Sequence, residues 1–442
     1  MYKCLSCKIP LCITSELCLQ RSLQNVSHFD DNIEMTSSLE LCRDNGAHAL
    51  FLAHRVIKQI GVLSRIHTLN LSGTNVIDVS ALSGVHTLNL SGTGVRDVRA
   101  LYNVHTLKLS ECIYLKDVSA LGRVYDLDLS STYVSNVQLL GGVHTLDLSR
   151  CQQIKDVSAL GRVHTLSLVC CQGITDVSAL GSVYKLNITG CKYIADVSKL
   201  RKVHTLIYSR AVITDTNMMD YASSLLTAKH SVKNINQLTS NHHLDLSFTY
   251  ITNVSFCKNI HTVCLVGCEE LSDVSMLGDV HTLDLSYCKK VIDVGMLGRV
   301  QHLTLTSTNI SDVSALGNVP ILNLSSCEYI VDIRALTNVH TLDLSFTNVK
   351  YMDSLKNTHT LNLSGCKHIF DIAPLKGVHT LNISFTNISD VNELAGIHTL
   401  DISYCDRIMD IRALHSVQKL IAKGLRNHII PMSESFVAKV VV

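Results

Sequence analysis

Tryptophan is missing from this sequence altogether, and phenylalanine and tyrosine bring the aromatic share to only 5% of 442 residues. A surface built on bulky aromatic anchors is therefore not expected, because such anchors are where binding energy usually concentrates. Charged residues are scarce too, at 17%, and they nearly cancel to a formal net charge of +1. That balance removes any global argument for nucleic acid or an anionic membrane as partner. With 46% apolar residues the chain is not of the disordered type. No apolar run approaches the roughly 18 residues of a membrane-spanning helix. The opening MYKCLSCKIPLCITSELC has no uninterrupted apolar stretch, so no secretory signal is expected. Enzyme signatures are also missing: there is no glycine-rich phosphate loop, no G-x-S-x-G and no H-E-x-x-H. Neither catalysis nor a small-molecule substrate is expected.

Cysteine is the exception to this scarcity, with 17 in the chain. Disulfide-rich secreted scaffolds are short and exported, so a reducing, intracellular (cytoplasmic) setting is the better expectation. Most of these cysteines belong to a repeat. GVHTLDLSRC begins at Gly142, GVHTLNLSGT at Gly84 and GVHTLNISFT at Gly377. Taking the leucine of HTL as reference, the unit recurs from Leu69, Leu88 and Leu107 through to Leu420, at intervals of 19 or 20 residues. About 19 coils result if a degenerate one at 222–241 is counted, where Val232, Ile235 and Leu238 follow Leu225 at the usual offsets. The residue five places after the reference decides the length. Threonine there (Thr74, Thr308, Thr347) gives a 19-residue coil, and cysteine (Cys151, Cys288, Cys366) a 20-residue one. An array of this length is a solenoid, because one coil cannot bury its apolar row alone.

VHTLDLSYCKKVIDVGML, with Val280, Leu283, Leu285, Cys288 and Val291 in the key places, resembles a leucine-rich repeat. The form LDLSYC…DV is similar to the cysteine-containing subclass, and the DVSAL tail resembles internalin-like repeats. The uniform His-Thr-Leu wording also resembles repeat proteins encoded by large DNA viruses of amoebae. The resemblance implies an α/β-type solenoid with a parallel β-sheet on its concave face and short turns or 3-10 segments on its convex face. It also implies a scaffold for protein–protein interaction.

Alternation sends Leu283 and Leu285 inward and Thr282, Asp284 and Ser286 outward. The Thr/Cys place turns inward at the strand end, so nine cysteines are expected to pack as buried thiols, a disulfide ladder being the rival. Asp78, Asp97, Asp156, Asp176, Asp273, Asp312, Asp332 and Asp390 each precede a short turn whose N–H groups they would cap; a column of calcium ligands is the alternative. Histidine sits two places before the reference in thirteen coils, yet Tyr125, Tyr184, Gln301 and Gln418 replace it elsewhere. That tolerance favours a structural or surface place over metal ligation, which needs converging side chains. Protonation of so close a row would loosen the array, or alter partner binding, below about pH 6.

The outward rows are threonine, then asparagine or aspartate, then serine, too uniform to encode much specificity. The departures are therefore the candidate partner-binding residues: Lys108, Lys185, Ile207, Tyr208, Arg210, His243 and His302, with Asp126, Cys264 and Ile321 beside them. The partner is expected to be a protein, with no nucleic acid bound by the solenoid and no membrane. Four segments follow: a cysteine-rich segment 1–35, a helical cap 36–61, the solenoid 62–425 and a C-terminal cap 426–442. Within the second, Ser37-x-x-Glu40 reads as a capping box and Ala47 to Ile60 as helix. Cys4, Cys7, Cys12, Cys18 and His28 have metal-like spacing. YKCLSCKIPLC resembles the cysteine-rich finger of piggyBac-type transposases, which implies zinc; free thiols in a loose tail are the alternative. Two further roles stay open: a self-assembling structural protein, such as a particle component, and a substrate adaptor of a ubiquitin ligase.

Overall fold

The computed structural model describes residues 49–57, 60–194, 196–209, 238–425 and 440–441. They fall in two units, Met1–Val203 and His204–Val442. The first runs from strand β1 (Ala49–Phe51) and β2 (Thr68–Asn70) to β8 (Lys185–Asn187). The second runs from β9 (Thr205–Ile207) and β10 (His243–Asp245) to β19 (Lys419–Ile421) and β20 (Val440–Val441). Within each unit neighbouring strands are parallel and in strict register, Leu69 facing Leu88 and Leu342 facing Leu361.

One coil shows why the chain repeats. Leu69 and Leu71 point inward and are buried, as alternation requires. The ladder continues past the formal strand: Leu71 N–H donates to the Asn89 carbonyl at 2.8 Å and Gly73 N–H to that of Ser91 at 2.7 Å. Gly73 then takes a positive φ of 64°, which swings the chain into the core at Thr74. Val76, Val79, Leu82 and Val85 fill the interior, each buried. Each fully buried side chain of this kind is worth roughly 1.5–3 kcal/mol. A 3-10 turn at Ser80–Leu82 closes the coil.

Two expectations are corrected here. The segment expected to be helical from Ala47 to Ile60 contains β1, whose Leu50 pairs with Leu69. Leu50 and Leu52 are buried, and His54 has φ 58°, as the same place has in later coils. Pairing with β2 satisfies backbone groups that a helix would leave at an open sheet edge. Residues 36–48 of that expected cap lie outside the described ones. The second correction concerns the degenerate coil. β9 bonds directly to β10, Leu206 facing Leu244. Tyr208 N–H donates to the Asp245 carbonyl at 2.8 Å, and Ser209 Oγ to the Ser247 carbonyl at 3.1 Å, across 38 residues. The chain returns with buried Leu238 and Asn241 in the apolar slots before Leu244. Residues 210–237 lie outside the described ones, as do 426–439 and Val442 of the C-terminal cap, whose Val440 pairs with Leu420.

Candidate binding face

The threonine or cysteine at the strand end fixes where the outward rows stand. Thr308 Oγ1 donates to its own coil's Leu305 carbonyl at 2.8 Å. Cys327 Sγ reaches back one coil to the same oxygen at 3.0 Å. In cysteine coils the extra residue forms a turn, with Leu115 N–H donating to the Cys112 carbonyl at 3.1 Å. Threonine is β-branched and suits the extended backbone that follows it, whereas unbranched cysteine can head a turn. The described cysteines are all unpaired thiols. Burial pushes Cys191, Cys257 and Cys288 up to about 12, the pKa of protonated, unreactive groups.

Each outward asparagine or aspartate is pinned by the turn after it. Ser72 N–H donates to Asn70 Oδ1 at 3.0 Å, and Ser345 N–H to Asp343 Oδ1 at 2.8 Å. Ser247, Ser286 and Ser345 add their hydroxyls to the same aspartate oxygen at 2.6 Å. The eight aspartates expected to cap do so by accepting from the N–H two residues on, at the start of the turn, as Asp78 does from Ser80 at 2.9 Å. Hydrogen bonds from Arg99, Arg334 and Arg412 hold Asp97, Asp332 and Asp410 down to about 2.

The histidines form stacks, which the sequence did not disclose. His67, His86 and His105 continue through Tyr125 to His144, His164 and Tyr184, with ring centroids 4.4–4.8 Å apart. The second unit carries His204 to His281, and again His340 to His398. Nδ1 meets the hydroxyl of the following threonine, as in His86 to Thr87 at 3.3 Å. His261 and His379 are held below the ordinary histidine value, by burial first and then by the histidines on either side. Among the described residues no group of three or more His, Cys, Asp or Glu is placed to hold a metal ion. Parallel rings do not converge.

Of the expected partner-binding residues, Lys108 and Lys185 are exposed on the first unit's sheet. Ile207 and His243 are half-buried on adjacent strands of the second unit, and exposed His302 faces exposed Ile321. His302 also meets the ladder, 5.4 Å from His281. Tyr208 is a correction: it occupies the second inward place of its coil and is buried, since alternation puts it with Leu71 and Leu90. Arg210 and the cluster Cys4, Cys7, Cys12, Cys18 and His28 lie outside the described residues.

The sequence reading missed one row. Four places after the reference the chain turns at positive φ, and in five coils of the second unit that residue is aromatic: Phe248, Tyr287, Phe346, Phe385 and Tyr404. All are about half exposed, from 47% to 59%. A recurring leucine or isoleucine, then serine, then phenylalanine or tyrosine was the available signal, hidden by the low overall aromatic share.

No protein-family model matches the sequence, and no curated protein matches it. Solved structures do. The chain is similar to the mouse RP105/MD-1 complex at 15% identity, over 88% of this chain and 84% of that one, with a TM-score of 0.60. It is similar to a TLR13–ssRNA13 complex at 17% identity, over 89% and 61%, with a TM-score of 0.51. A leucine-rich repeat protein of Leptospira interrogans matches at 15% identity, over 88% and 100%, also at 0.51. Among the described residues no helix is long and apolar enough to cross a membrane. Parallel three-residue strands, closed coil by coil through 3-10 or simple turns, give this chain the leucine-rich repeat fold.

Proposed function

We propose that the chain is a non-catalytic scaffold that holds a protein partner against the outward face of its sheet. The observation that carries this reading is the ordering of that face before any partner arrives. The asparagine and aspartate row is fixed by turn N–H groups in coil after coil. Pre-ordered side chains lose little entropy on binding. Lys108, Lys185, Ile207, His243 and His302 then supply the differences between coils that specificity needs. One similar structure is a complex with an RNA. Here, however, Asp128, Asp147, Asp245, Asp284, Asp343 and Asp401 stand in the outward row, and they would repel a phosphate backbone. Unpaired ladder thiols support a reducing compartment. The Cys4, Cys7, Cys12, Cys18 and His28 set remains a zinc proposal, testable by metal analysis of the purified chain.

The test is affinity capture with mass spectrometry from the native source. It compares the intact chain with two folded variants: Lys108→Glu with Lys185→Glu, and Thr341→Arg with Thr360→Arg and Thr380→Arg. A protein held by the intact chain and lost from one variant locates the binding face. If the captured proteins are the same for all three, the sheet face is not the binding surface.

A further inference from the structure

We propose that the aromatic row of the second unit is a docking stripe for an extended arginine- and lysine-rich segment of a partner protein. This rests on the scaffold reading above and gives the partner its chemistry. The stripe carries a conformational cost. Phe248, Tyr287, Phe346, Phe385 and Tyr404 have φ between 57° and 63°. A bulky residue is uncommon there, and the conformation is strained. Gly267, Gly365 and Gly424 hold the same place in neighbouring coils without that cost. Burial does not repay it, because each of the five rings remains 47–59% exposed.

The rings are also held in place. A Cβ on Gly267 would stand 2.6 Å from Phe248 Cδ1, and one on Gly365 would stand 2.5 Å from Phe346 Cδ1. Those rings therefore lie over the next coil's glycine. Phe385 stacks on Tyr404 with centroids 4.5 Å apart. Packed against the next coil on one side, Phe248, Phe346, Phe385 and Tyr404 are half open to solvent on the other.

Charge decides the occupant. Four of the five aromatics follow an aspartate by three residues, in DLSF, DLSY, DLSF and DISY, and the fifth follows Asn382. Oδ1 of Asp245, Asp284 and Asp343 is bound by the serine between, so each carboxylate is oriented in the same turn as its ring. Beyond the turn, Lys290 Nζ pairs with Glu270 at 2.6 Å. A carboxylate beside an exposed aromatic face suits a guanidinium or ammonium group, attracted by both. The first unit contains the same contact internally: Arg96 lies 4.8 Å from the Tyr114 ring centroid.

The repeat supplies variants that keep the fold. Serine occupies the aromatic place at Ser307 and Ser326, with φ 56° and 58°, so Phe346→Ser, Phe385→Ser and Tyr404→Ser can be combined. Asparagine occupies the aspartate place at Asn323 and Asn362, so Asp343→Asn and Asp401→Asn keep the turn bond. Fluorescence anisotropy would follow a labelled peptide of alternating arginine and glycine binding to the full chain. Glutamate–glycine and proline-rich peptides serve as comparators. The arginine peptide should bind at least about tenfold tighter than either comparator, and each combined variant should weaken it by about tenfold or more. Equal binding by the serine variant, equal binding of the acidic or proline-rich peptide, or no binding at all would overturn the proposal. In that last case, a captured protein still lost from the Thr341, Thr360 and Thr380 variant leaves the scaffold reading standing. Loss of both results removes both.

Discussion

The Leu305 carbonyl is shared by three donors: Thr308 N–H at 3.2 Å, Thr308 Oγ1 at 2.8 Å and Cys327 Sγ at 3.0 Å. The hydroxyl is the strongest side-chain donor of the three, since S–H donates weakly. Thr308→Val removes it at nearly constant shape and should cost about 1–2 kcal/mol. Cys327→Ala should cost a similar amount, chiefly through lost packing. Urea midpoints for the two single variants and the double variant check this; strict additivity would show that the shared oxygen does not couple them. The same burial that makes cysteine a good ladder residue makes it a poor nucleophile. Burial raises Cys191 and Cys288 to about 12, and Cys268 to about 11, so few thiolates exist near neutral pH. Iodoacetamide treatment of the folded protein, read by peptide mass spectrometry, should leave these three unmodified, and urea should expose them. Rapid labelling of Cys288 in the native state would contradict the ladder as described.

At the scale of one element, the histidine stack links a sequence regularity to a pH response. His261 and His379 titrate below their ordinary value of 6.5 because burial and flanking histidines disfavour the charged ring. The unfolded chain therefore takes up protons first as pH falls. The stability these residues contribute is fully present above about 6.5 and is lost as pH drops through their folded value. Asp97, Asp332 and Asp410, held at about 2, keep their charge throughout that window. The melting temperature should thus be lower at about pH 5.5 than at about pH 7.5. Tyr125 and Tyr184 already stack in this row, so His261→Tyr with His379→Tyr should shrink the difference. Equal melting temperatures at the two pH values would show that the stack carries no such cost. The row itself was legible in the sequence, because each histidine keeps a fixed offset from a leucine. Ring-on-ring contact was not, since it depends on registry between coils and on a side-chain direction set by the Nδ1 bond to threonine.

For the whole molecule, period and register were legible because one buried row fixes both. Leu283 faces Leu303 as the spacing requires. Sequence reading failed where the pattern was present but its context differed. Leu50 stands nineteen residues before Leu69, with His48 two places ahead of it, yet Arg55 stands in its Thr/Cys slot, so the coil pattern is incomplete there. Between Leu206 and Leu244 the apolar offsets imitate a coil, but β9 and β10 are already joined. The aromatic stripe was overlooked because composition averages over the chain while the rings concentrate at one place in the coil. A stack with only nearest-neighbour contacts implies a test of the architecture. Deleting residues 303–341 removes two whole coils and joins His302 to Leu342, so each inward row is restored across the junction. That chain should fold, with unchanged ellipticity per residue and a modestly lower urea midpoint. Deleting residues 303–331 instead brings Asp332 into the slot of a buried leucine, where an unpaired carboxylate is strongly disfavoured. Circular dichroism and urea unfolding of the two deletions should separate them clearly. Equal losses would mean that the coils are coupled over longer distances than the register between neighbours implies.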